Sequence, residues 1–178
     1  MDPQLFIWIV ARATGVAAYI ALCLAVLSGI ALRTSVLDFL ATNRALRSLH
    51  DFVTWVWIPL GFAHVTTLLL DKTAQIAPLD LVVPFQVGYA PVAIGLGTLS
   101  LDIVVLVTIT SWLRRKMDDR LWRWLHRTSY VAFVTLFLHA LLSGTDFSSP
   151  LISSISWSAA LGIGLLAASR IFFGRLPE

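Results

Sequence analysis

Long apolar runs constrain the fold of this chain more than any other feature of its sequence. About 20 helical residues, at a rise of about 1.5 Å each, span the hydrocarbon core of a bilayer. Five runs are long enough, and they extend from about Leu5 to Leu32, Leu46 to Leu70, Gly88 to Leu113, Leu121 to Leu142 and Leu151 to Phe173. Because the connections between them are short, neighbouring helices should run antiparallel. We therefore predict an all-α fold, a polytopic membrane bundle of five transmembrane helices.

The scarcity of charge agrees with this prediction. Only 13% of the 178 residues are charged, whereas soluble domains have about a quarter. The first run follows no basic region and has no small-residue cleavage site, so it is interpreted as a membrane helix and not as a signal peptide. The net charge of +3 comes from basic residues at helix ends, so we expect no nucleic-acid partner.

The basic residues also predict how the bundle is oriented. They gather around the start of the second span, around the start of the fourth span and at the end of the last, at Arg33, Arg44, Arg47, Arg114, Arg115, Lys116, Arg120, Arg123, Arg127, Arg170 and Arg175. By the positive-inside rule this side is cytoplasmic, the N-terminus is outside and the C-terminus is inside. The expected location is the cell membrane of a bacterium or archaeon, with lipid as a partner. The second and fourth spans then run parallel, from inside to outside.

All four histidines of the chain lie on those two parallel spans. His50 and His64 are 14 residues apart, which is about 21 Å of helical rise and nearly a whole number of turns, so both leave one face. His126 and His139 are 13 apart, or about 20 Å. These matching separations place His50 opposite His126 at an inner level and His64 opposite His139 at an outer level.

Facing imidazoles at two depths are typical of bis-histidine haem ligation. We predict two b-type haems with the four histidines as iron ligands. Covalent attachment is not expected, because the chain has no C-x-x-C-H motif and Cys23 is its lone cysteine. The 13-residue spacing turns a side chain about 140° out of alignment, which local tightening, helix curvature or a rotated outer haem must absorb. The alternative is a cofactor-free membrane scaffold in which each histidine bridges packed helices.

Several other residues are candidate haem contacts. Arg12 lies inside the first span, where an unpaired arginine is unfavourable, so we predict that it binds a propionate of the outer haem. The alternative is that the Arg12 side chain snorkels, placing its charged end among the lipid headgroups. Four arginines flank the inner ligands and are candidates to bind the propionates of the inner haem: Arg47, Arg127, Arg44 and Arg123. As residues that follow the positive-inside rule, however, they need no ligand.

Two aromatic residues are candidates to fill the space between the haems. Trp57 is seven residues from each histidine of its span, and Phe133 is seven after the first histidine of the other. Ordinary packing or belt positions would explain both equally well. Asp102, near the middle of the third span, has no assigned role; it would pair with a polar neighbour or relay protons. No catalytic residue is predicted.

The chain resembles the ferric reductase-like transmembrane domain in two segments, RALRSLHDFVTWVWIPLGFAH and RLWRWLHRTSYVAFVTLFLHALLSGTD. This domain is the membrane core shared by NADPH oxidases, ferric reductases and the bacterial haem subunit of the methionine sulfoxide reductase system. The segment ARATG around Arg12 is similar to the ARAS-type helix start in NADPH oxidases. The resemblance covers about Ala11 to Phe173, within a single domain of residues 1–178. It implies two b haems that pass electrons one at a time, with the ligands assigned above and Arg12 on an outer propionate.

The chain also departs from these relatives. NADPH oxidases and eukaryotic ferric reductases have six spans and a cytoplasmic flavin and nicotinamide domain, and neither the sixth span nor that domain is expected here. The oxidases have a further histidine where this chain has Leu68, so superoxide production is not implied. Electrons are expected from a separate flavoprotein with FAD or FMN, or from quinol, and should pass to an external acceptor or reductase. The other redox interpretation is a cytochrome b subunit of a hydrogenase or quinol-linked complex.

Overall fold

The structure is a computed structural model that describes residues 2–34 and 41–173, with side chains as far as Ser169. Arg175 and the side chain of Arg170, which the sequence places on the cytoplasmic side, lie outside this described part. Its α-helices are α1 (Pro3–Ala31), α2 (Asn43–Leu70), α3 (Pro91–Trp112), α4 (Asp119–Arg127), α5 (Ser129–Ser143) and α6 (Pro150–Phe173). Short 3₁₀ turns occupy Pro78–Leu81, Arg114–Lys116 and Thr145–Ser148.

The helices form five segments that are long and apolar enough to cross a membrane, with α4 and α5 together making the fourth. The prediction of an all-α, five-span membrane bundle is confirmed. The third span begins at Pro91 and not at the predicted Gly88. Proline suits this first helical position because its missing N–H would have had no partner inside the helix.

Each histidine-bearing span is supported by another helix. Helix α1 packs along α2, α3 packs along α5, and α1 also reaches α5 and α6. A buried apolar cluster joins these helices through Leu22, Val26, Ile30, Val104, Ala132, Phe133 and Ile163. The hydroxyl of Ser100 in α3 donates to the carbonyl of Ala132 in α5 at 2.9 Å, which satisfies a buried polar group between the two helices.

The fourth span is interrupted between its two histidines. The main-chain N–H of Thr128 donates to the carbonyl of Leu125 at 3.0 Å, three residues back and not four. The Thr128 hydroxyl donates to the same carbonyl at 2.6 Å. A bond to the third residue back is the tighter 3₁₀ pattern, so side chains before and after Thr128 do not follow one continuous α-helical phase. Local tightening is therefore present between the histidines that are 13 residues apart.

The connection from α2 to α3 is folded against the beginning of α3. The hydroxyl of Thr98 donates to the carbonyl of Asp80 in this connection at 2.8 Å. The Phe85 ring lies so close to Gly95 that a Cβ would not fit there, and Phe85 has a positive φ of 68°. Residues other than glycine rarely adopt this backbone conformation, and the close packing of the Phe85 ring against Gly95 helps to hold Phe85 in it. The connection covers the end of α3 that carries Ala93 and Gly97.

Candidate functional site

The four predicted histidines meet in two pairs. The ring centres of His50 in α2 and His126 in α4 are 6.2 Å apart with 67° between the planes. Those of His64 in α2 and His139 in α5 are 6.5 Å apart with 73° between the planes. This pairing requires α2 to run in the same direction as α4 and α5. We call them the His50–His126 pair and the His64–His139 pair.

The spacing of the rings fits one metal ion between the members of each pair. A bond from a metal to an imidazole nitrogen is about 2 Å long, so two rings on opposite sides of one ion have centres about 6 to 6.5 Å apart. Both pairs meet this condition. Within the described residues no group of three or more His, Cys, Asp or Glu side chains could hold a metal ion. A metal ion between the members of a pair would need its other ligands from a bound group, such as the ring nitrogens of a haem.

Three of the histidines are held by main-chain carbonyl groups of α1 or α3. The Nδ1 atoms of His50, His64 and His139 lie 2.9, 2.9 and 2.8 Å from the carbonyl oxygens of Ala25, Ala11 and Ala93, respectively. Because a carbonyl can only accept, each Nδ1 carries a proton, and in the neutral ring Nε2 then keeps its lone pair. This tautomer is the one that binds a metal through Nε2, and the hydrogen bond fixes the orientation of the ring.

A glycine four residues after each of these alanines makes room for the imidazole. A Cβ placed at Gly97 would lie 2.7 Å from Nδ1 of His139, and one at Gly15 would lie 2.9 Å from Nδ1 of His64. At Gly29 the nearest ring atom of His50 would be 3.4 Å away. A helical side chain covers the turn before its own Cα, so at Gly15 and Gly97 even a Cβ would crowd the ring that binds the carbonyl, whereas at Gly29 it would be close to ordinary contact.

We call these Ala-x-x-x-Gly segments, residues 11–15, 25–29 and 93–97, the alanine–glycine cradles. The two on α1 are 14 residues apart, which is the spacing of His50 and His64 on the antiparallel helix α2. The repeated Ala-x-x-x-Gly motif is the sequence signal for these cradles, although the sequence analysis above assigned it no role.

His126 has no cradle. Its Nδ1 is buried and has no hydrogen-bond partner among the described residues. Its ring instead stacks on Trp122, one turn earlier in α4, with ring centres 5.0 Å apart and 26° between the planes. Arg114 belongs to the 3₁₀ turn before α4, and its guanidinium lies 4.2 Å from the centre of the Trp122 ring. The two histidine pairs are therefore held differently.

Arg12 forms an ion pair that the sequence did not predict. Its Nε donates to Oδ2 of Asp146 at 3.0 Å, its Nη2 contacts the other carboxylate oxygen, and its guanidinium lies 4.1 Å from the Trp8 ring centre. Arg12 adjoins Ala11, whose carbonyl holds His64, so it lies at the level of the His64–His139 pair. Its contact with a propionate stays a prediction.

The remaining candidates lie in two environments. Trp57 packs against the buried cluster that contains Phe133, and the Trp57 Nε1 is buried with no partner among the described residues. Arg47 and Arg127 are exposed. Asp102 is partly buried on α3 and forms no hydrogen bond or ion pair with another described residue. The roles proposed for these side chains stay predictions.

The ion pair with Arg12 predicts a pH-dependent stability. Hydrogen bonding from Arg12 lowers the pKa of Asp146, so the carboxylate favours the folded state above its unfolded pKa of about 3.9. That contribution is lost as the pH falls through the lower, folded pKa. We expect Asp146→Asn to lower the melting temperature of the detergent-purified protein slightly at pH 5 to 8, with an ion-pair contribution of about 1 kcal/mol or less.

The melting temperatures of wild type and variant should begin to converge as the pH falls below about 4. The control is Asp146→Asn in an Arg12→Gln background, where the ion pair is already absent and the same change should alter the melting temperature little at any pH. A wild-type advantage that persists unchanged at pH 3 would contradict the assignment.

Comparison with known families agrees with the geometry. A family model described as "Ferric reductase like transmembrane component" matches residues 14–137, which include His50, His64 and His126 and end just before His139. No curated protein matches the chain, and no solved structure does. The family match covers well over half of the sequence. The chain therefore belongs to the ferric reductase-like transmembrane components, and its role is electron transfer across a membrane.

Proposed function

We propose that this protein is a two-haem conduit that passes electrons one at a time through the membrane. The His50–His126 pair would hold one b haem and the His64–His139 pair the other. The observation that carries this proposal is the ring spacing of 6.2 and 6.5 Å in the two pairs, which fits a shared metal ion in each. When bound, haem supplies a reversible one-electron carrier with a potential set by its ligands and surroundings.

The residues of the chain prepare and insulate these sites. The cradle carbonyls fix three imidazoles in the tautomer that exposes the Nε2 lone pair and make that nitrogen a stronger donor. Trp57 and Phe133, which lie between the two pairs along their helices, keep this part of the bundle apolar. Such surroundings exclude water and preserve the low dielectric around each site.

The proposed direction of transfer follows from the positions of the charges. Arg33, Arg44 and Arg47 precede or begin α2, and further basic residues precede α4, at the end of the bundle that holds the His50–His126 pair. We assign this arginine-rich end to the cytoplasm of a bacterium or archaeon by the positive-inside rule. A flavoprotein carrying FAD or FMN, or membrane quinol, would deliver electrons there. An acceptor or reductase would collect them outside, near the His64–His139 pair.

A haem measurement tests this function directly. Protein purified from cells supplied with ample haem should contain two haems per chain and show a reduced-minus-oxidised spectrum of the low-spin b type. The control is the same protein from haem-starved cells, to which added haem should restore both sites. A folded protein that takes up no haem under either condition would refute the conduit and favour a scaffold, since imidazole-to-carbonyl bonds can also bridge helices without a cofactor.

The donor is identified by a second measurement on the haem-loaded protein. Reduction by a quinol analogue is compared with reduction by NADH and a soluble flavin reductase, each under anaerobic conditions. Rapid reduction by the quinol alone would indicate a quinol-linked cytochrome b. Rapid reduction by the flavoprotein alone would support the flavoprotein route.

A further inference from the structure

His126 is the one candidate ligand in the described structure whose Nδ1 has no acceptor. Helix α3 has no alanine–glycine cradle at the level of His126. Moving 14 residues along α3 from the cradle of His139, which is nearly a whole number of helical turns, leads from Ala93 and Gly97 to Val107 and Ser111. Position 111 thus has a side chain where the cradle needs a glycine.

We propose that Trp122 is the positioning residue of His126 and replaces the missing cradle. The indole lies on the imidazole at 5.0 Å between ring centres, one helical turn away, so it limits rotation of the ring about its Cβ–Cγ bond. Arg114 lies 4.2 Å from the indole centre and holds Trp122 by a cation–π contact. This proposal rests on the two-haem function proposed above.

The arrangement connects the His50–His126 pair to the arginine-rich end. Arg114 belongs to the 3₁₀ turn that joins α3 to α4, and it is exposed. Only the Trp122 ring separates it from the imidazole. A displacement of this turn would therefore change the orientation of His126, whereas the cradles shield the other three histidines from such a change.

The test compares two tryptophans of α4. Trp122→Leu removes the stacked ring, and Trp124→Leu is the matched control because Trp124 is 71% exposed and has no ring contact with a histidine. Both changes are made in a His64→Ala/His139→Ala background, so that the His50–His126 site alone is observed. We measure the rate of haem loss to a competing haem-binding protein and the low-spin electron paramagnetic resonance signal, which depends on the mutual orientation of the two imidazoles.

Trp122→Leu should accelerate haem loss about tenfold or more, the usual effect of losing a group that orients a ligand, and should shift or broaden the signal. Trp124→Leu should change neither quantity. If Trp122→Leu does not fold, Trp122→Phe, with a smaller stacking ring, should still fold and shift the signal by a smaller amount. Identical haem loss and signals in the Trp122 and Trp124 variants would overturn the positioning role, whereas absence of haem from the wild type would overturn the proposed function itself.

Discussion

The double variant His64→Ala/His139→Ala is expected to retain one haem per chain, whereas His64→Ala/His126→Ala should retain none. The first removes both members of one pair and leaves the other pair complete. The second removes one member from each pair, and each site then lacks an axial ligand. Both variants delete two imidazoles, one from α2 and one from the fourth span, so general damage to the helices is matched between them.

The haem content of each purified variant, determined per chain by extraction and by reduced-minus-oxidised spectra, checks this expectation. A complementary double variant, His50→Ala/His126→Ala, should also retain one haem, with a spectrum that differs from the first because a different site survives. Equal haem contents in the within-pair and cross-pair variants would contradict the pairing seen in the structure.

The sequence predicted the bundle because membrane spans depend on a simple physical requirement. A helix that crosses the bilayer satisfies its own backbone and needs only length and apolar composition, which can be read from composition along the chain. The depth of the histidines follows from the same rise per residue, so the opposition of His50 to His126 could be predicted. The tightened turn at Thr128 could not be predicted, because it depends on which carbonyl a single N–H selects, and the periodicity of the sequence does not indicate that.

The contacts around the histidines were harder to predict. Arg12 was expected to need an anionic partner, but Asp146 lies in a turn 134 residues away, and the path of a turn is not fixed by hydropathy. The cradles depend on which faces of α1 and α3 meet the histidine helices. Once those faces are known, the alanine and glycine positions have a clear physical role, and the absence of the motif near His126 becomes informative.

Substitution of the cradle glycines should separate a steric effect at one histidine from general effects on a helix. At Gly97 a Cβ would lie 2.7 Å from Nδ1, 2.9 Å from Cε1 and 3.1 Å from Cγ of His139. The ring cannot retreat from it without breaking its bond to the Ala93 carbonyl. We expect Gly97→Ala to weaken haem binding at the His64–His139 pair about tenfold or more, so that the purified protein approaches one haem per chain.

The matched control is Gly29→Ala, where the new Cβ would be 3.4 Å from Cε1 and 3.6 Å from Nδ1 of His50, close to ordinary contact. Gly162→Ala in α6 adds a Cβ that meets nothing within 4 Å. Each change raises helix propensity by about 1 kcal/mol, so helix stability alone would favour all three variants. Loss of one haem from Gly97→Ala, with two retained in both controls, would identify crowding of His139 as the cause. Two haems and an unaltered spectrum in Gly97→Ala would show that the imidazole does not depend on this cradle.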